Sequence, residues 1–144
     1  MKEITIITDG SCRGNPGPGG WAALLRYGNY KRQIQGGARA TTNNQMEMTA
    51  LIEGLKIVKE PCKIKVVTDS KYLINAFTEG WLKNWQRNGW KTSAGKPVKN
   101  DELWKELLEL TKPHTITWEW VKGHAGHPDN EAVDAAAQIE ASKQ

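Results

Sequence analysis

Two segments of this chain end on the same pair of residues, a threonine followed by an aspartate. Thr8-Asp9 and Thr68-Asp69 each close an apolar run rich in β-branched residues, and such runs predict strands. Both segments are therefore expected to deliver a carboxylate at the carboxyl end of a strand. Glu47 and Asp134 lie on segments with helical spacing. Four carboxylates on separate elements suit a hard divalent cation, which favours a Mg²⁺ or Mn²⁺ site.

Each acid also has an ordinary structural interpretation. An aspartate that follows a strand commonly caps a helix or begins a turn. Glu47 in a first helical turn interacts favourably with the helix dipole. Asp134 follows Glu131 by one turn, a spacing at which two acids destabilise a helix by roughly 0.2–0.5 kcal/mol, and a nearby cation or basic partner would offset this cost. Paired strand ends favour a site, because adjacent parallel strands place both carboxylates at one edge of the sheet. Two like charges held close together repel, and their pKa values are driven apart unless a cation neutralises them.

A loop near the C-terminus places His124 and His127 among glycines. Histidine titrates near neutral pH, so one of the two could carry a proton. The pair could instead bind a transition metal. No cysteine accompanies them, and the carboxylates favour Mg²⁺ or Mn²⁺ over a softer ion.

Hydrophobic periodicity predicts a mixed α/β sheet with helices packed on it. The residues between the first two strands, 12–20, are rich in glycine and proline and predict a loop. The predicted strands span residues 2–8, 21–27, 31–38, 64–68 and 115–121. The predicted helices span residues 43–59, 71–77, 81–87, 101–110 and 128–142.

Composition limits the protein class. The chain has 144 residues, 38% of them hydrophobic and 25% charged, which is ordinary for one globular domain. No apolar run approaches the roughly 20 residues that cross a bilayer, and residues 1–3 lead directly into a strand without a signal-peptide pattern. The only two cysteines, Cys12 and Cys62, form no C-x-x-C pair and indicate no disulfide framework. We expect a cytoplasmic monomer without membrane contact.

Positive charge is concentrated in one segment. The net charge is +4, and residues 80–100 contain five basic residues and no acidic one. The remaining chain therefore holds 15 basic and 16 acidic residues, which is close to neutral. Such a patch suggests a polyanionic partner, although a solvated basic surface would give the same pattern.

An ordered series of motifs resembles type 1 ribonuclease H over essentially the whole chain. No single motif is specific, whereas all of them in this order are. The motifs are TDGS at 8–11, GNPG at 14–17, TNNQME at 42–47, TDS at 68–70, WEWVKGH at 118–124, and NE at 130–131 followed by Asp134. The chain departs from the pattern at Lys71, where several members have glutamine.

The resemblance implies a fold and an activity. The fold class is α/β, with a five-stranded mixed sheet of order 3-2-1-4-5, the first three strands antiparallel, and helices on both faces. Residues 1–144 would form a single catalytic domain, with a basic protrusion at about residues 80–99. The partner would be an RNA–DNA hybrid, and two Mg²⁺ ions, with Mn²⁺ as a possible substitute, would support hydrolysis of its RNA strand. The products would carry 5′-phosphate and 3′-hydroxyl ends.

The resemblance also assigns residues. Asp9, Glu47, Asp69 and Asp134 would be catalytic metal ligands, and His124 would carry a proton. The substrate contacts are expected at Gly10, Asn15, Thr42, Asn43, Asn44, Gln45, Trp81, Lys83, Arg87 and Lys91. Trp81 and Trp85 could instead pack the basic protrusion onto the body, and Trp104, Trp118 and Trp120 are assigned mainly to packing.

Three other functions compete with this one. A nuclease acting on DNA could use the same fold. A hybrid-binding module without catalysis would lack one of the acids, and all four are present. A purely structural α/β domain is disfavoured by the clustered positive charge.

Overall fold

A computed structural model describes residues 1–122 and 127–144. Its sheet has five strands in the order β3-β2-β1-β4-β5, with β1, β2 and β3 antiparallel and β4 and β5 parallel to β1. The predicted order and pairing are confirmed. The strands are β1 (Lys2–Cys12), β2 (Gly17–Tyr27), β3 (Tyr30–Thr41), β4 (Cys62–Thr68) and β5 (Thr115–Trp120).

Helices cover both faces of the sheet. Alternation along β1 sends Ile6 into a core shared with the helices on one face, while Ile7 faces a smaller cluster with Val133 and Ala137 of the last helix. In the described parts of the chain, every helix is too short or too polar to span a bilayer. The helices are α1 (Asn43–Ile57), α2 (Lys71–Thr78), α3 (Trp81–Arg87), α4 (Asp101–Thr111) and α5 (Pro128–Ser142).

The predicted loop at residues 12–20 is shorter in the structure and covers only residues 13–16, because β1 continues to Cys12 and β2 already begins at Gly17. The glycines of β2 serve close packing. A Cβ on Gly20 would lie 2.1 Å from the carbonyl oxygen of Ala137, on α5, and one on Gly19 would lie 2.5 Å from the methyl group of Thr41. Glycine therefore lets α5 and β3 approach β2 here, although the composition alone indicates a turn.

Aromatic rings connect the basic protrusion to the body. Trp81 and Trp85 lie 6.1 Å apart between ring centroids, and Trp85 lies 5.9 Å from the fully buried Trp104. Tyr72, on α2, packs against Trp81 and Trp104. Spacings of this size are typical of favourable aromatic pairs. The packing interpretation of Trp81 and Trp85 is therefore the one the geometry supports.

Candidate active site

The close approach of α1 to β1 brings Asp9 and Glu47 together. A Cβ on Gly10 would lie 2.6 Å from the backbone nitrogen of Glu47, so only glycine allows this spacing. The Gly10 N–H donates to Asp9 Oδ1 at 2.9 Å and to Glu47 Oε1 at 3.1 Å. One backbone donor is thus shared by two carboxylates that are only 8% and 7% exposed.

Asp69 joins this pair from the neighbouring parallel strand. Parallel pairing of β1 with β4 ends at Ile7 and Val67, so each aspartate lies two residues beyond the last pair. Asp9, Glu47 and Asp69 offer ligand atoms that lie within 4.8 Å of one another. The expectation that Asp9 ends its strand is wrong, because β1 continues in antiparallel pairing with β2 and Asp9 is opposite Ala22.

Asp134 reaches the site from α5. It lines a small cavity of about 20 Å³ together with Asp9 and Asp69. Its carboxyl group hydrogen-bonds to Asp9, and Gln138 Nε2 donates to Asp134 Oδ2 at 3.0 Å one turn further along the helix. All four predicted acids are therefore brought to one place by four different elements.

Burial perturbs the two innermost carboxyl groups. Desolvation, followed by the hydrogen bond to Asp134 and the charge of Asp69, raises the pKa of Asp9 to about 8. Burial and the charges of Asp9 and Asp69 also raise the pKa of Glu47 well above its ordinary value. A buried like-charged cluster of this kind favours neutral acids unless a cation compensates.

The second oxygen of Glu47 indicates what completes the site. Glu47 Oε2 is buried and accepts no hydrogen bond from any described residue. Buried carboxylate oxygens are normally hydrogen-bonded or bound to a metal. The buried Glu47 Oε2 lacks a partner, all the available ligand atoms are oxygens, and the cluster carries excess negative charge when ionised. These three features fit a hard divalent cation held by Asp9, Glu47 and Asp69.

Short polar side chains fix the start of α1 beside the acids. Thr42 is the N-cap, accepting a hydrogen bond from the Gln45 N–H at 3.2 Å. Asn15, in the loop between β1 and β2, accepts from the Asn43 N–H at 3.1 Å. Asn43 and Asn44 are exposed. The substrate contacts predicted in this loop and at the start of α1 therefore lie together. Thr42 also caps the helix, and Asn15 also holds the loop against it.

Gln45 also links the helix start to Asn100, the residue between the basic protrusion and α4. Its side chain accepts from Thr41 Oγ1 at 3.0 Å and donates to Asn100 Oδ1 at 3.1 Å. Asn100 in turn donates to the Tyr72 hydroxyl at 3.2 Å. Asn100 has a φ of 60°, a conformation that asparagine tolerates better than most residues. The sequence indicated only a helix cap at Asn100 and missed this bridge.

The cations of the basic protrusion lie on its surface. Lys83, Arg87 and Lys91 are exposed, and none forms an ion pair with another described residue. Trp81 is partly buried against the body. The fifth predicted catalytic residue, His124, lies outside the described residues.

Comparison with known proteins decides the family. The RNase H family model matches residues 1–142. This chain belongs to the RNase H family. It is similar to the ribonuclease H of Hydrogenovibrio crunogenus, at 56% identity over 95% of this chain and 94% of the relative. It is 54% identical to a ribonuclease H of Thermus thermophilus, over 99% of this chain and 86% of the relative.

A solved structure supports the same assignment. LC9-RNase H1, described as a type 1 RNase H with the type 2 active-site motif, superposes with a TM-score of 0.88 at 31% identity. The match covers 99% of this chain and 74% of that chain. The RNase H family consists of metal-dependent nucleases, so this chain is a hydrolase of phosphodiester bonds, and its buried acids are compatible with a metal site.

Proposed function

We propose that this protein hydrolyses the RNA strand of RNA–DNA hybrids, using Mg²⁺ held by its buried acids, and leaves 5′-phosphate and 3′-hydroxyl ends. The observation that carries the proposal is the shared Gly10 N–H between two buried carboxylates, with Glu47 Oε2 left unsatisfied. Such a cluster is costly unless a cation completes it. Its curated relatives are named ribonuclease H.

The four acids are proposed as the ligands of the cations. Asp9, Glu47 and Asp69 would be the principal ligands, and Asp134 would complete the set from α5. Two bound Mg²⁺ ions would activate the attacking water and stabilise the leaving 3′ oxygen. The carboxylates fix the ligand geometry, so no side chain has to act as the nucleophile. His124 is proposed as the proton carrier.

Selectivity for the RNA strand rests on its 2′-hydroxyl groups, which distinguish it locally from DNA. A hydroxyl both donates and accepts, and amide side chains and backbone groups can complement both roles. Asn43 and Asn44 are exposed at the start of α1, and Asn15 lies beside them. We assign 2′-hydroxyl and phosphate recognition to this group together with Gly10, Thr42 and Gln45.

The test of the proposed function is a comparison of substrates. End-labelled RNA–DNA hybrid, duplex DNA and duplex RNA are incubated separately with the full chain in Mg²⁺ and in EDTA. We expect cleavage of the RNA strand in the hybrid alone, dependent on Mg²⁺, with 5′-phosphate product ends. Preferential cleavage of duplex DNA would favour the DNA-nuclease alternative. Binding of hybrid without cleavage in Mg²⁺ would favour the binding module.

The basic protrusion, residues 80–99, is proposed to grip the duplex through phosphate contacts. Replacing Lys83, Arg87 and Lys91 together by glutamine should raise KM and reduce the slope of log affinity against log salt by about 1 per lost contact. The pH profile of kcat should not move, because the substitutions leave the acids unchanged. Salt-dependent binding to a hybrid measures this directly.

A matched triple variant controls for net charge. Arg32, Lys59 and Lys63 are exposed and lie toward the opposite end of the strands from the acids. Their replacement by glutamine removes the same three charges and should change the salt slope much less. Equal slopes for the two triple variants would show that the basic protrusion does not contact the duplex.

A further inference from the structure

The indole of Trp120 holds the backbone of Asp69. The last β4–β5 pair joins Thr68 to Trp120, and the Val121 N–H donates to the Thr68 carbonyl at 3.0 Å. Beyond the strand, Trp120 Nε1 donates to the Asp69 carbonyl at 3.1 Å. The Trp120 side chain thus adds one hydrogen bond beyond the last strand pair, and this bond is made to the backbone of Asp69.

The neighbouring carbonyls explain why this bond matters. The Ser70 carbonyl accepts from the Ile74 N–H at 3.2 Å as α2 begins. Thr68 is held by strand pairing and Ser70 by the helix, so Asp69 lies at the junction between two regular elements. Trp120 fixes the peptide group at that junction, and with it the direction in which the Asp69 carboxylate leaves the backbone.

Trp120 is placed unlike the other tryptophan of its strand. Trp118 is half-buried and stacks on Phe77, with 4.7 Å between ring centroids. Trp120 is 46% exposed, although its N–H is bonded to the backbone. Trp120 therefore does not pack into the core, and its structural role is the hydrogen bond to Asp69.

The exposed ring also holds a cation. Lys71 Nζ lies 4.5 Å from the centroid of the Trp120 ring, well within the range of a cation–π contact. Lys71 is the first residue of α2, whose first turn has no acidic residue. A positive charge at a helix N-terminus interacts unfavourably with the helix dipole. The cation–π contact with the Trp120 ring offsets this unfavourable interaction for Lys71.

We infer that Trp120 is a positioning residue for the proposed reaction: it orients Asp69 toward the metal and holds the Lys71 ammonium beside the path of the substrate. The inference rests on the proposed function. The Lys71 ammonium lies on the same indole whose N–H is bonded to Asp69, and we assign it a contact with a phosphate next to the one that is cleaved. The role of Trp120 is exerted through its two contacts, the Asp69 carbonyl and the Lys71 ammonium.

The first test separates metal affinity from substrate affinity. Trp120→Phe retains an aromatic face but loses the N–H donor. Titration calorimetry of the full chain with Mg²⁺, in the absence of nucleic acid, should show roughly tenfold weaker binding, as for other outer-shell partners. At low Mg²⁺ kcat should fall, high Mg²⁺ should restore most of it, and KM for the hybrid should change little.

Trp118→Phe is the matched control, because it makes the same substitution two residues earlier on β5. It should leave Mg²⁺ affinity unchanged even where it lowers the melting temperature. Wild-type Mg²⁺ affinity in Trp120→Phe, or an equal loss in both variants, would overturn the positioning role. If the wild-type chain binds Mg²⁺ but cleaves no hybrid, the proposed function fails while the calorimetric comparison still tests Trp120.

The second test concerns Lys71. Lys71→Met should raise KM for the hybrid and reduce the salt slope by about 1, with Mg²⁺ affinity unchanged. Trp120→Leu removes both the N–H and the aromatic face, so it should show the metal defect together with a raised KM. An unchanged salt slope in Lys71→Met would remove the phosphate contact from the inference.

Discussion

Asp9→Asn will lower the rate of hybrid cleavage by more than about 10³-fold, beyond the roughly 10–100-fold typical of residues one shell away from a metal. The substitution keeps the shape of the side chain and removes its charge. Asp9 is the central acid, since it contacts Asp134 and shares the Gly10 N–H with Glu47. Single-turnover cleavage of end-labelled hybrid in Mg²⁺ measures the loss.

Asp101→Asn is the control, because it makes the same aspartate-to-asparagine change outside the acid cluster. Asp101 lies in the first turn of α4, and its carboxylate pairs with Lys105 of the same helix. It should cleave at nearly the wild-type rate. The Asp9→Asn protein should retain affinity for the hybrid, since the exposed cations are intact. An Asp9→Asn protein that cleaves at the normal rate would contradict the assignment of the acids.

Without metal, the protein should become less stable as pH rises between about 4 and 8. The folded-state pKa of Asp9 is raised to about 8 from 3.8, and that of Glu47 is also raised. The folded protein therefore binds more protons than the unfolded chain across this range, and the slope of unfolding free energy against pH is negative. One pKa unit corresponds to about 1.4 kcal/mol, so we expect these groups to contribute a loss of several kcal/mol across this range.

Denaturant unfolding in EDTA at pH 5, 7 and 9 measures this effect. Asp9→Asn should flatten the dependence and be more stable than wild type at pH 9, because it removes a charge that is buried there. Mg²⁺ should stabilise the wild-type protein more as pH rises, because fewer protons then compete with the cation for the acids. A metal-free wild-type protein whose stability rises steadily from pH 5 to 9 would be inconsistent with the raised pKa values.

Much of the architecture can be predicted from local patterns. Alternation in β1 and the apolar stripe of α1 identify those elements because burial on one face imposes periods of 2 and 3.6 residues. A strand reached through a helix indicates parallel pairing, and this places Asp9 and Asp69 on neighbouring strands. The juxtaposition of these two acids therefore follows from topology, before any side-chain contact is known.

Other features depend on contacts between distant residues. Gly20 indicates a turn until α5 is known to pack against it, since the composition of β2 alone does not reveal the close approach. The continuation of β1 past Asp9 depends in the same way on pairing with β2. Trp120 differs from Trp118 only through the β4–β5 register, which places its indole beside the Asp69 carbonyl. Periodicity cannot distinguish these cases because each is decided by a partner far along the chain.

Calorimetric titration of the metal-free wild-type protein with Mg²⁺ tests most directly whether the buried acids form the cation site. The titration is repeated at pH 7 in two buffers of different ionisation enthalpy, so that the protons released on binding can be counted. Because the pKa of Asp9 is raised to about 8, we predict that Mg²⁺ binding at pH 7 displaces protons, and that this release diminishes toward pH 9.5. Saturable Mg²⁺ binding with no proton release at pH 7, equally strong in Asp9→Asn, would contradict a metal site built on these carboxylates.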